Sequence, residues 1–270
     1  MTWLSISRPW FWLYLAGPYL VGFAASAQIA SYTNPLFWVF LLYFLFPANL
    51  LLYGVNDVFD QDTDAANPKK GDEEHLLSSD QTQPLFLAVL GISVASLFGF
   101  LVLPFAAGVA LITFLLFAWA YSTPPVRLKA RAFLDSASNV LYVLPGLVGY
   151  YLNTAAPPSA LVLIGAAAWT MAMHLYSAIP DIEADRQAGL NTTAVVLGER
   201  RSLLLCLGLW TAFTAVLTIF DSWLLVSAVY PLLCAAALVH GRITDQYWYY
   251  PYINAVFGFA AYWYVTLPIL

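Results

Sequence analysis

Long apolar runs separated by short polar connections fill this chain from end to end. Runs long enough to cross a bilayer, which takes about 20 residues, lie at 9–30, 35–55, 84–103, 105–120, 136–152, 159–178, 203–220, 223–239 and 252–270. They predict an all-α membrane bundle of about nine transmembrane helices, the third and fourth meeting at Leu103-Pro104 with almost no loop. One long hydrophilic stretch interrupts the pattern, at 57–83, and loops of that length in compact proteins are usually functional. No change of composition marks a boundary, so residues 1–270 read as a single domain.

Composition excludes a soluble enzyme: the residues are 61% hydrophobic and 9% charged, and the mean hydropathy is +0.75. Charge then orients the chain. With about nine spans, the N-terminus and the even-numbered loops share one side, and every basic residue falls there: Arg8, Lys69, Lys70, Arg127, Lys129, Arg131, Arg186, Arg200, Arg201 and Arg242. The excess of Lys and Arg makes that side cytoplasmic, in a multi-pass protein of the cell membrane. Of the acidic residues only Asp221 falls opposite, so the net charge of -5 gathers at one face, where the chemistry is expected. Cys206 and Cys234 stand singly in apolar runs without CxxC spacing and read as small core residues.

Two acidic clusters carry the strongest chemical signal. Asn56-Asp57-Val58-Phe59-Asp60-Gln61-Asp62-Thr63-Asp64 closes the second apolar run, and Asp181-Ile182-Glu183-Ala184-Asp185 closes the sixth, so that Asp60-x-x-x-Asp64 recurs as Asp181-x-x-x-Asp185. Carboxylates packed together at a bilayer edge repel one another unless cations neutralise them. A pair of divalent metal ions holding a phosphate-rich ligand is the simplest occupant. If the second span continues helically into the loop, Asp57, Asp60 and Asp64 share a face that extends back through Asn56, Tyr53 and Asn49. In the sixth span the same spacing joins Asp185 and Asp181 to Ser177 and His174, and facing helices with such stripes build bundle-core metal sites.

Blander readings compete at several positions. Asp60, Asp62 and Asp64 match the start of a calcium loop, but Ala65 and Gly71 stand where Gly and Glu are required. A solvated acidic run accounts for Asp62, Asp72, Glu73 and Glu74. His174 is as well explained by a hydrogen-bonded structural role as by a cavity-lining one. Tyr121-Ser122-Thr123-Pro124-Pro125-Val126-Arg127-Leu128-Lys129-Ala130-Arg131 places basic residues beyond a Pro-Pro turn, where they set topology and also attract a diphosphate directly. Asp135, Asn139 and Tyr142 offer a third polar face at helical spacing. Tyr247, Trp248, Tyr249, Tyr250 and Tyr252 read as an aromatic belt at the membrane interface.

Taken together, the motif at Asn56 to Asp64, Tyr121-Ser122 before the basic loop, and Asp181-x-x-x-Asp185-x-x-x-Gly189 resemble the UbiA superfamily of intramembrane prenyltransferases. Asn67-Pro68-Lys69-Lys70-Gly71, Tyr121-Ser122-Thr123-Pro124-Pro125, Phe133-Leu134-Asp135-Ser136 and Ala178-Ile179-Pro180-Asp181-Ile182-Glu183-Ala184-Asp185 are most similar to its carotenoid branch, the lycopene elongases. Pro180 and Gly189 depart from the superfamily, many of whose members carry a basic residue before the second motif and an Asp two turns along it. The resemblance implies helices around a central cavity, with Mg2+ held by Asn56, Asp57, Asp60, Asp64, Asp181 and Asp185. Lys69, Lys70, Arg127 and Lys129 would neutralise the diphosphate of an allylic donor, with Tyr53, Tyr121, Ser122, Asn139 and His174 as further substrate-site candidates. The implied reaction transfers a prenyl group, with dimethylallyl diphosphate as donor and lycopene as lipophilic acceptor from the bilayer. The alternatives are an aromatic or isoprenoid glycerol acceptor, or a divalent-cation transporter.

Overall fold

The computed structural model describes residues 3–61 and 77–269. After a single turn at Trp3–Ile6 come α1 (Leu13–Ala24), α2 (Pro35–Leu45), α3 (Pro47–Phe59), α4 (Ser79–Val102) and α5 (Phe105–Ser122). Turns at Leu134–Ala137 and Ser138–Tyr142 then lead into α6 (Leu144–Tyr151) and α7 (Ala160–Ala178). The rest is α8 (Ile182–Gln187), α9 (Thr193–Leu197), α10 (Glu199–Phe220), α11 (Val229–His240), α12 (Ile243–Tyr247) and α13 (Tyr250–Thr266). Among the described residues the one β feature is an isolated parallel bridge between Arg131 and Asn191.

Six of these helical stretches are long and apolar enough to cross a membrane: Pro35–Phe59, Ser79–Val102, Phe105–Ser122, Ala160–Gln187, Glu199–Phe220 and Ser222–His240. The other three predicted segments hold shorter helices: α1 has 12 residues, α6 only 8, and α13 has 17. Proline explains much of the segmentation, since its ring removes an N–H and crowds the preceding turn. Pro47 divides α2 from α3, Pro145 separates the 3₁₀ turn from α6, and Pro180 forces a 3₁₀ turn at Ile179–Asp181.

The helices group into two compact units. Unit 1 comprises Met1–Val126, Leu144–Ala156 and Pro251–Leu270. Here α1 and α6 touch backbone to backbone: a Cβ on Gly22 would lie 2.0 Å from the Gly146 carbonyl oxygen, and one on Gly149 only 2.4 Å from that of Tyr19. Small residues permit such approaches, which substitute for the hydrophobic drive that lipid does not supply. Polar side chains then pair across helices. Tyr19 OH donates to the Phe37 carbonyl at 2.9 Å, Trp119 Nε1 to Ser93 Oγ at 2.9 Å, and Asn254 Nδ2 to Tyr14 OH at 3.0 Å.

Unit 2 comprises Arg127–Val143 and Pro157–Tyr250, with α7 packed along α10. Its core is aromatic: Trp210 stacks on Tyr250 at 5.4 Å, beside Tyr176 and Tyr230, all four wholly buried. Tyr250 therefore does not belong to an interface belt as its neighbours suggested; Tyr249 and Tyr252, 65% and 58% exposed, do face outward. Cys206 and Cys234 are buried and unbridged, as their isolation implied.

Candidate active site

In unit 1 the first acidic motif sits at the end of α3. That helix stops at Phe59, and Asp60 leaves helical geometry (φ −114°, ψ 8°), so the face expected to run on helically is broken here. Asp60 is wholly buried and folds back onto the preceding turn. Asn56 Nδ2 donates to Asp60 Oδ2 at 2.5 Å and to Ser122 Oγ at 3.1 Å, and Ser122 Oγ lies 3.4 Å from the same carboxylate oxygen. Amide and hydroxyl donors orient the carboxylate without cancelling its charge, and with its amide hydrogens used Asn56 presents Oδ1 as an acceptor.

Asp57 has a different neighbour. Arg8 Nη2 lies 3.0 Å from Asp57 Oδ1, the two side chains 17% and 3% exposed, and the guanidinium carbon stands 4.6 Å from the Tyr53 ring centroid. The sequence reading gave Arg8 a topological role only; its one signal was a lone cation directly before the first apolar run. Asn49, placed on the same polar stripe, is instead spent on the Pro47 break, donating to the Phe44 and Leu45 carbonyls at 2.7 and 3.0 Å. Asp64, Lys69 and Lys70 lie outside the described residues.

In unit 2 the expected stripe runs from the end of α7, across the 3₁₀ turn at Ile179–Asp181, into α8. His174, Ser177, Asp181 and Asp185 are partly accessible, whereas Leu175, Tyr176, Ala178 and Ile179 between them are buried. Thr192 Oγ1 donates to Asp185 Oδ2 at 3.2 Å while capping α9 through Val195 N. The next residue anchors a second carboxylate: Thr193 N donates to Asp135 Oδ2 at 2.7 Å and Thr193 Oγ1 donates to Asp135 Oδ1. His174 Nε2 lies 4.0 Å from Asp135 Oδ2. Neither threonine was singled out from sequence, since hydroxyls in a loop carry no pattern of their own.

The expected third face does not form, because Ser138–Tyr142 is a 3₁₀ turn and the Asn139 amide is spent on the Asp135 carbonyl at 2.7 Å. Gly189 has φ +72°, the left-handed geometry that closes a helix, so α8 ends before a third motif position could share its face. Tyr121 is half-buried beside Ser122, and Arg127 and Lys129 are half-buried at the start of unit 2. Among the described residues no three His, Cys, Asp or Glu side chains converge as a metal site.

The model of the UbiA prenyltransferase family matches residues 15–250. The chain belongs to that family. Within the UbiA family it stands on the lycopene elongase branch: it is 45% identical over 256 residues to a lycopene elongase/hydratase of Haloferax volcanii, covering 94% of this chain and 84% of the relative. A lycopene elongase/hydratase of Haloarcula japonica is 43% identical over 259 residues, covering 94% and 87%. The fold is similar to that of a UbiA homolog from Archaeoglobus fulgidus solved with DMAPP and Mg2+, with a TM-score of 0.72 at 20% identity over 98% of this chain and 99% of the other. This UbiA protein is thus a membrane-embedded prenyltransferase, and the cation-transporter reading falls.

Proposed function

We propose that this UbiA prenyltransferase transfers a dimethylallyl group from dimethylallyl diphosphate to a terminal double bond of lycopene, and that water captures the resulting tertiary cation. The observation that carries the reading is the 45% identity, sustained over 94% of the chain, to a protein named lycopene elongase/hydratase. Asn56, Asp57, Asp60, Asp64, Asp181 and Asp185 would hold Mg2+; they fit it because every donor is a hard oxygen, which a small divalent cation prefers. When bound, Mg2+ supplies charge neutralisation to the departing diphosphate.

The chain's own residues do the rest. Asn56 and Ser122 hold Asp60 in one orientation, and Arg8 holds Asp57. Lys69, Lys70, Arg127 and Lys129 bind phosphate oxygens directly. As the allylic C–O bond breaks, its electron pair leaves with the diphosphate, and aromatic rings such as Tyr121 stabilise the carbon cation by their π faces. The pair of the acceptor double bond then closes the new C–C bond. The charge distribution supports a cytoplasmic side for the acidic motifs and basic loops, and we infer that residues 1–270 act as one domain.

Incubation of purified enzyme with lycopene, dimethylallyl diphosphate and Mg2+ tests this. The expected products are heavier by one and two five-carbon units, each with an added water. Prenylation of 4-hydroxybenzoate or an isoprenoid glycerol phosphate, with lycopene untouched, would overturn the acceptor assignment.

A further inference from the structure

We propose that His174 is the base that receives the proton of the capturing water, with Asp135 as the residue that positions it; this rests on the hydration step proposed above. Capture has a fixed balance. A lone pair of the water oxygen forms the C–O bond, one O–H bond breaks with its pair kept on oxygen, and the proton needs an acceptor. Within an apolar bundle bulk water cannot serve, so the acceptor is either the departing diphosphate or a side chain beside the cation, and the structure offers such a side chain.

Between Ala160 and Ala178 His174 is the one side chain of a type that ordinarily gains or loses a proton near neutral pH, and such groups inside a membrane span are costly enough to imply a task. It stands one turn before the end of α7 and seven residues before Asp181, which lies beyond the 3₁₀ turn that follows, a rise of about 10 Å at helical pitch. That puts it on the hydrocarbon side of the carboxylates, where reacting carbons rather than phosphates belong. Its side chain is 17% exposed, whereas Asp135 behind it is wholly buried.

The orientation of Asp135 is set independently of His174. Thr193 N holds one carboxylate oxygen and Thr193 Oγ1 the other, so the anion is fixed at 4.0 Å from Nε2. A carboxylate facing Nε2 favours the tautomer with hydrogen there, which leaves the lone pair on Nδ1 as the base. Once protonated, the imidazolium closes on a carboxylate already in place, so the membrane interior holds a neutral pair and not an isolated cation. A purely structural role for Asp135 accounts for Thr193 but gives no reason for the histidine.

The test compares His174→Gln, His174→Phe and Asp135→Asn with wild type in the lycopene assay, reading the ratio of hydrated to olefinic product per prenyl group transferred. Monodisperse elution in detergent confirms folding. In both His174 variants the ratio falls by roughly tenfold or more, within the range for loss of a general base, as the cation instead loses a C–H proton to the departing diphosphate and the olefin accumulates; Asp135→Asn shifts it the same way, by less. An unchanged ratio in both His174 variants overturns the proposal. So does loss of all transfer in folded His174→Gln, which would place the residue in donor binding. If wild type yields no lycopene product, the acceptor reading fails and takes this inference with it, a result visible before any variant is compared.

Discussion

Replacing Arg8 by Met should destabilise the protein markedly. The guanidinium is 3.0 Å from an Asp57 side chain that is only 3% exposed, so its loss removes a charge-assisted donor from a buried carboxylate. A charge-assisted hydrogen bond contributes about 1.5–3 kcal/mol, and the contact with Tyr53 adds about 0.5–2 kcal/mol. Because Arg8 is itself 17% exposed, part of this is screened, and about 3 kcal/mol is the expected loss, close to the lower bound for a broken buried pair. That corresponds to a roughly hundredfold shift in the folding equilibrium. Asp57→Leu should cost less, about 1–2 kcal/mol, since the long Arg8 side chain can turn toward water. The double variant should recover to within about 1 kcal/mol of wild type, because removing both charges removes the desolvation penalty with them. Unfolding by denaturing detergent in mixed micelles, followed by circular dichroism, yields the full double-mutant cycle. An Arg8→Met protein as stable as wild type, or a double variant less stable than Arg8→Met, would refute the assigned pairing.

Asp60→Asn and Asp181→Asn should each lower turnover by at least about a hundredfold while leaving the helical spectrum intact; near-normal rates across a Mg2+ titration in either would remove it from the metal set. Chelation by EDTA should abolish activity, and Mg2+ should restore it; activity that survives chelation would exclude a divalent metal. Gly22→Ala drives a methyl into the Gly146 carbonyl and should cost about 3 kcal/mol, whereas Gly91→Ala, with open space around it, should be neutral or stabilise by up to about 1 kcal/mol; equal stability of the two variants would contradict the α1–α6 contact. In a background lacking Cys206 and Cys234, single cysteines at Arg127, Arg200 and Arg242 should resist an impermeant thiol reagent outside intact cells, while one at Ala156 reacts. Labelling of Arg127 and Ala156 from the same side would break the proposed topology.

What the sequence determined by itself follows from short-range periodicity. Apolar runs of bilayer length imply membrane helices because unsatisfied backbone cannot cross lipid, and the stripe of His174, Ser177, Asp181 and Asp185 is legible because a helix repeats every 3.6 residues. The motifs that carry the family resemblance are likewise local strings. Periodicity fails where the backbone departs from it: at Pro47, at Pro145 and at Asp60 the expected faces are cut or bent. Which polar groups meet depends on how the helices pack. Arg8 finds Asp57 across 49 residues, Asn56 finds Ser122 across 66, and Thr193 finds Asp135 across 58. Each pairing depends on where separate helices end relative to one another, which no local pattern encodes. The same packing turned Asn49 into a backbone cap and buried Tyr250 among rings, because a side chain's role is set by the partner that arrives opposite it.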